Sequence, residues 1–233
     1  ISANSNTLLS IESNIGIISD VTVTNSKFQN NGSSAIYFYN YGDMRNILIE
    51  NDSIINRGNN YGYGIDMGTD YGLVDATIRN NKFLMDGTAY GYGVSIWYAG
   101  NITIDNNKFD ISPNAYYYEP ITFGGLDQID FNNKSNVTVT NNKIYGFNNE
   151  GIYMEYLNGK TIISNNEIIS MTENGPYGIY PYYVNGDIEI SNNVIRLDSI
   201  SSSYGAIYFD YVKPAKCIVY NNMISGYYDY GLY

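Results

Sequence analysis

One eight-residue pattern recurs eight times along the chain, and it limits the possible fold more than any other feature. ITIDNNKF at 102–109 is representative: a mostly alternating apolar stretch, two asparagines, a polar residue, and Phe or Ile at the end. The copies begin at Val21, Ile47, Ala76, Ile102, Val137, Thr161, Ile188 and Cys217. Successive starts are separated by roughly 24–35 residues, a period typical of solenoids, in which each repeat is one supersecondary unit.

A second pattern lies between successive copies of the first. In it a small residue or proline precedes an aliphatic residue, as in AIYFY from 35, PITFG from 120 and GIYMEY from 151. Each period therefore contains at least two short strands, and no stretch shows apolar residues at helical spacing. The sequence predicts an all-β solenoid of parallel strands with about eight coils, and the starts of the copies put roughly 27 residues in each coil.

The paired asparagines predict the corner of each coil. If strand alternation continues through the fifth position of the pattern, that residue points inward, where its amide must be paired with backbone or with the next coil. The sixth residue would then turn the chain, because asparagine tolerates positive φ. On this interpretation an asparagine ladder is formed by Asn25, Asn51, Asn80, Asn106, Asn141, Asn165, Asn192 and Asn221.

These repeats resemble the right-handed parallel β-helix repeats of the pectin-lyase-like superfold, in its periplasmic copper-site-assembly and carbohydrate-binding subgroup. Together with the abundance of Ile and Tyr and the low charge, they also resemble the adhesin-like surface proteins of methanogenic archaea. The resemblance implies a right-handed coil and a non-enzymatic protein of the cell surface, adhesive or envelope-forming. Its expected partners are surface glycans, envelope proteins or copies of itself. One fold of this kind hosts many functions, so function must be argued from the residues themselves.

Composition excludes several other classes of function. The net charge of −11 and the pI near 4.2 argue against binding to nucleic acid or to an anionic membrane. The single cysteine excludes a disulfide within the chain, and the lack of histidine excludes a histidine base or ligand. No apolar run approaches the length that a membrane-spanning helix needs. We expect one β-helix domain over residues 1–233, as an extracellular segment of a longer chain.

Tyrosine is the residue type that points most directly to a binding surface. The chain contains 27 tyrosines, and many fall at one outward position after the aliphatic residue of the second pattern. Stacked coils would collect them on one face, which suits sugar rings or a protein partner, although mutual stacking that stabilises the sheet explains them equally well. The candidate binding residues are Tyr37, Tyr153, Tyr180, Tyr208, Tyr182 and Trp97, with Tyr116, Tyr117 and Tyr118 in the long period from 102 to 137.

Catalytic and metal sites are weaker hypotheses. The outward carboxylates Asp66, Glu155 and Asp210 fall on different coils without a matched base, so no catalytic residue is predicted. The alternatives are a polysaccharide lyase or glycoside hydrolase on the same fold, and a filament subunit that assembles by end-to-end stacking of coils. No cofactor is expected; Ca²⁺ is a minor alternative, at Asp127 with Asp130 or at Asp66 with Asp70.

Five N-x-[ST] sequences are candidate glycosylation sites. Four of them, at Asn31, Asn101, Asn133 and Asn136, fall in predicted turns. The fifth, at Asn51, coincides with a predicted ladder position and should be inaccessible.

Overall fold

Every regular element that the computed structural model describes is a β-strand, and every strand pairing it describes is parallel. It describes residues 2–3, 7–58, 62–87, 90–112, 117–125, 135–170, 176–198, 203–214, 216–226 and 228–233. The strands form three sheets of nine strands each, and a typical coil contributes one strand to each sheet, where the sequence predicted at least two strands in a coil. The predicted class, an all-β parallel solenoid whose coils have the predicted length, is confirmed.

The three sheets are named in the order in which one coil passes through them. Sheet 1 contains β3 (Ile18–Ser19), β4 (Thr22–Thr24), β7 (Met44–Glu50), β10 (Val74–Arg79), β13 (Ala99–Asp105), β16 (Asn136–Thr140), β19 (Thr161–Ser164), β22 (Ile188–Ser191) and β25 (Cys217–Tyr220). Sheet 2 contains β1 (Ser2–Ala3), β5 (Lys27–Asn30), β8 (Ser53–Asn56), β11 (Lys82–Met85), β14 (Lys108–Ile111), β17 (Lys143–Tyr145), β20 (Glu167–Ser170), β23 (Val194–Leu197) and β26 (Met223–Gly226). Sheet 3 contains β2 (Thr7–Ser13), β6 (Ser34–Asn40), β9 (Gly62–Thr69), β12 (Tyr90–Trp97), β15 (Tyr117–Gly124), β18 (Glu150–Glu155), β21 (Tyr177–Tyr182), β24 (Ser203–Ile207) and β27 (Tyr228–Leu232).

The first repeat pattern spans the corner between sheets 1 and 2, and the second pattern lies on sheet 3. Equivalent residues of successive copies pair directly, as Ile102 pairs with Val137 and Phe83 with Phe109. The apolar residues of all three sheets point into one continuous core. Stacking in register brings like side chains together: the Phe83 and Phe109 rings are parallel, with centroids 4.5 Å apart. Each coil therefore buries its apolar side chains against its neighbours rather than within itself.

Each asparagine corner contains a buried rung and a turn residue, as predicted, but the turn residue comes first and the rung second. The fifth position has a left-handed backbone in all eight copies, with φ between 51° and 59°. Its side chain is exposed wherever it was predicted to be a rung: at Asn25, Asn51, Asn80, Asn106, Asn141, Asn165, Asn192 and Asn221. The prediction was wrong because the alternation of inward and outward side chains ends at position four, one residue earlier than expected. A left-handed φ at position five re-aims the chain, so position five points outward and position six points inward.

The buried ladder is formed by position six. In the central copies each amide oxygen accepts the backbone N–H of the preceding rung, as Asn107 Oδ1 accepts from Asn81 N at 2.9 Å. Each Nδ2 donates to a strand carbonyl of the coil before, as Asn107 Nδ2 does to Ile78 O at 2.9 Å. The rungs with amide side chains are Asn81, Asn107, Asn142, Asn166, Asn193 and Asn222. An asparagine ladder does exist, displaced by one residue from the predicted one.

The longest period contains a regular strand. PITFG belongs to β15, which pairs with β12 and β18 in sheet 3 like any other strand. Residues 113–116 and 126–134, on either side of this strand, lie outside the described residues.

Candidate functional site

Side chains that point outward from sheet 3 form three columns, which we call the aromatic face. The first column contains Tyr63, Tyr92, Glu119, Glu150 and Tyr177. The middle column contains Tyr37, Asp66, Ser95, Thr122, Tyr153, Tyr180 and Tyr208. The third column contains Tyr39, Gly68, Trp97, Gly124, Glu155 and Tyr182. Strand register therefore places many of the tyrosines on one face, as the sequence predicted.

The predicted binding residues occupy this face with one clear exception. Trp97 is 44% exposed and its ring lies over Gly124, where an added Cβ would come within 2.3 Å of the ring. Tyr117 lies at the start of β15 and is partly exposed. Tyr118 is only 2% exposed and packs inward over Gly91, so its assignment to a contact surface was wrong. Tyr116 lies outside the described residues.

Rings on the aromatic face contact one another extensively. Tyr63 and Tyr92 are stacked with centroids 4.9 Å apart. Tyr180 contacts Tyr153 and Tyr208, each at 5.5 Å in edge-to-face geometry. Such pairs add roughly 0.5–1.5 kcal/mol beyond their buried area. Mutual stacking, the structural explanation of the tyrosines, therefore holds for much of the face.

A second aromatic column follows the corner between sheets 3 and 1. Tyr156, Tyr183 and Tyr211 have left-handed φ values of 54°, 50° and 50°. Their rings are stacked, with centroids 5.3 Å apart for Tyr156 and Tyr183 and 4.7 Å for Tyr183 and Tyr211. A bulky residue at positive φ is an outlier that costs on the order of 1–3 kcal/mol. Sequence reasoning missed this column because it reserved the left-handed conformation for asparagine and glycine.

Two buried glutamates lie side by side in the first column. Glu119 is 4% exposed and Glu150 is 7% exposed. Three donors converge on Glu119: Tyr117 Oη at 2.7 Å, Asn149 Nδ2 at 3.0 Å and Thr122 Oγ1 at 2.5 Å. Asn149 also donates to Glu150, so its amide contacts both carboxyl groups.

The two glutamates hold their protons differently. Burial, and then the neighbouring Glu119, raise the pKa of Glu150 far above the usual value of a glutamate. Glu150 is therefore a neutral carboxylic acid at pH 7. Two carboxyl groups that share one proton are the stable arrangement for such a buried pair.

The sequence contained a signal for this pair that we did not use. EPI at 119–121 and EGI at 150–152 place Glu at the same offset in successive copies of the second pattern. Neither glutamate was among the predicted site residues. Alignment on the aliphatic residue predicts that the two side chains are neighbours across β15 and β18.

The other predicted carboxylates have distinct surroundings. Glu155 accepts a hydrogen bond from Tyr153 Oη at 2.8 Å, and Asp210 accepts one from Tyr180 Oη at 3.3 Å. Burial in the middle column raises the pKa of Asp66 to about 6. Asp127 and Asp130 lie outside the described residues. Among those that are described, no three His, Cys, Asp or Glu side chains are grouped so that they could hold a metal ion.

Charge is unevenly distributed around the coil. Within their bounds, the described strands of sheet 3 contain no Lys or Arg, although they contain Glu12, Asp66, Glu119, Glu150, Glu155 and Asp229. Sheet 2 has an outward lysine column instead, in which Lys82 pairs with Lys108 and Lys108 with Lys143. The aromatic face is thus acidic, and basic side chains lie on other faces.

Glycosylation candidates fall on exposed positions. Asn31, Asn101 and Asn136 are exposed, but Asn101 and Asn136 lie in strands β13 and β16, so their assignment to turns was wrong; Asn133 lies outside the described residues. Asn51 is exposed as well, because it is a corner residue and not a rung, so its predicted inaccessibility was wrong. None of the elements described is a helix long and apolar enough to cross a membrane.

Comparison with known proteins identifies the family of this fold. The family model described as "Right handed beta helix region" matches residues 9–195 and 111–233, which together span almost the whole chain. No curated protein and no solved structure matches the chain.

Proposed function

The chain belongs to the right-handed β-helix region family, and from that premise we propose that it is a non-enzymatic module of an extracellular surface protein that binds glycans along its aromatic face. The observation that carries the proposal is the column structure of sheet 3, which places Trp97 and the outward tyrosines on one face, where rings such as Tyr63 and Tyr92 stack on one another. Aromatic rings with a polar edge suit sugars because they offer apolar area and hydrogen bonds together.

The geometry favours an extended ligand over a compact one. The columns run along the solenoid axis, and equivalent side chains repeat at the inter-strand distance of about 4.8 Å. A polymer laid along the face would meet several rings, each a weak contact, and would gain affinity by multivalency. The acidic side chains Asp66 and Glu155 favour neutral or amine-bearing glycans and disfavour uronate polymers.

Trp97→Ala is expected to weaken binding of a neutral polysaccharide about tenfold, since removal of one central stacking contact is worth roughly 1.4 kcal/mol. The measurement is the retardation of the folded protein in gels containing β-glucan, chitin oligomers or polygalacturonate. Tyr71→Ala is the matched control, because Tyr71 is 78% exposed but lies outside the aromatic face. Retention of full binding by Trp97→Ala, or binding to none of the neutral polymers, would contradict the proposal.

A second candidate is glycoside hydrolysis, favoured by the neutral Glu150 beside Glu119. An acid and a carboxylate are the groups this reaction uses, but retaining enzymes separate them by about 5–5.5 Å and inverting enzymes by more. Glu119 and Glu150 are both buried and contact the same Asn149 amide, so they do not present two open carboxyl groups on either side of a glycosidic bond. We therefore expect no reducing-sugar release from these polymers between pH 4 and 8. If reducing sugar is released, and both Glu119→Gln and Glu150→Gln abolish the release, glycoside hydrolysis would replace glycan binding as the favoured function.

A further inference from the structure

One rung of the buried ladder is an aspartate. Asp52 is 3% exposed and makes the same backbone contacts as the asparagines: its Oδ1 accepts from Ser26 N at 2.6 Å, and its own N–H donates to Asn81 Oδ1 at 2.8 Å. Its second oxygen, Oδ2, is buried without a hydrogen-bond partner. A buried polar atom left unpaired in this way is unusual in a native protein and calls for an explanation.

The repeat shows what surrounds that oxygen. In the next coil, Asn81 Nδ2 donates to Ile49 O at 2.9 Å and to Asn107 Oδ1 at 3.1 Å. The equivalent groups around residue 52 are the carbonyl of Val23 and the side-chain oxygen of Asn81, and both are acceptors. An ionised Asp52 would place a negative oxygen against two lone pairs. A proton on Oδ2 supplies the donor that the amide supplies in the other rungs.

The charged groups near Asp52 do not replace that proton. Glu50, on the strand that precedes the corner, is paired with Arg79 at 2.6 Å. Lys27 and Lys82 line the groove outside the corner with exposed side chains, and Asp52 Oδ2 accepts a hydrogen bond from neither. Burial, opposed by the Ser26 amide and reinforced by Glu50, raises the pKa of Asp52.

We propose that Asp52 is a protonated rung of the ladder and that loss of its proton loosens the contact between the coil of Ser26 and the coil of Asn81. The direction of the pH dependence follows from the linkage between protonation and folding. An aspartate in the unfolded chain ionises near pH 3.9, so the stabilising contribution is complete below that value and is lost as the pH rises above it. The first coils, which include Tyr37 and Tyr39 of the aromatic face, would thus be held most firmly in acid.

Asp52→Asn tests the proposal, because an amide donates at every pH. We expect the Ser26 amide to exchange with deuterium at least about tenfold more slowly in Asp52→Asn than in the wild type at pH 8, after correction for intrinsic exchange. At pH 4 the two proteins should exchange alike. An infrared C=O band of a buried carboxylic acid should be present in the wild type at pH 5 and reduced in Asp52→Asn.

Asp86→Asn is the control, since it removes the same charge from an exposed aspartate that pairs loosely with Arg57 at 3.6 Å. It should leave exchange of the Ser26 amide unchanged at both pH values. The proposal is overturned if Asp52→Asn protects the Ser26 amide equally at pH 4 and pH 8, or if it gives no protection at either. Comparison of the two proteins at each pH cancels the titration of other buried acids, because both proteins contain them.

Discussion

Asn107→Ala is expected to lower the free energy of unfolding by roughly 2–6 kcal/mol, the combined effect of two buried backbone groups that lose their partners. The substitution removes the acceptor of Asn81 N–H and the donor to Ile78 O, and both contacts are buried in the middle of the ladder. Each such loss costs about 1–3 kcal/mol. Denaturant unfolding, followed by circular dichroism, measures the change.

Asn106→Ala is the matched comparison, one residue away. Asn106 is exposed and donates to Asn80 Oδ1 at 2.7 Å, so it contributes mainly a left-handed φ of 51°. Alanine at that φ should cost about 1 kcal/mol, and Asn106→Gly should be nearly neutral. If Asn106→Ala were more destabilising than Asn107→Ala, the assignment of the buried ladder to position six would be refuted.

The reversal of the two asparagines shows which information the sequence holds and which it lacks. The period, the strands and the recurrence of an amide at one corner all follow from hydrophobic pattern and spacing. The order of turn and rung depends on where alternation stops, and both positions are asparagine in six of the eight copies. The two exceptions were the better guide, because Ser26 and Asp52 occupy the position that does not require a left-handed backbone.

The sequence predicted that tyrosines gather on one face, but it did not predict the detailed contacts on that face. Tyrosine spacing placed Tyr153, Tyr180 and Tyr208 in one column, as register in sheet 3 requires. The inward turn of Tyr118 could not be predicted, because it depends on the missing side chain of Gly91 on the neighbouring coil. The Glu119–Glu150 pair depends likewise on exact register between two coils whose connecting segment has an unusual length. Contacts between residues of different coils can be predicted only when the strand register is known. Sites built from several coils are therefore the hardest part of a solenoid to predict from its sequence.

Conservative substitutions of the two neighbouring glutamates should have opposite effects on stability. Because Glu150 is neutral in the folded protein and ionises near pH 4.3 when unfolded, it opposes folding increasingly as the pH rises above that value. Glu150→Gln removes this effect and keeps a donor toward Glu119. We expect it to be more stable than the wild type at pH 8, by up to about 1.4 kcal/mol for each pH unit above 4.3, with no gain at pH 4.

Glu119→Gln should destabilise the protein even at pH 5, where Glu150 stays protonated when folded. Its new amide group would face the three donors that converge on the carboxylate, from Tyr117, Thr122 and Asn149. Loss of hydrogen bonds to a buried charged group costs about 1.5–3 kcal/mol. The test is thermal unfolding of both variants at pH 5 and pH 8. A shared proton requires that the two Glu→Gln substitutions, which are chemically identical, change the stability in opposite directions. A loss of stability in Glu150→Gln at pH 8 would mean that Glu150 is ionised in the folded protein, and the aromatic face would then present two buried negative charges instead of one.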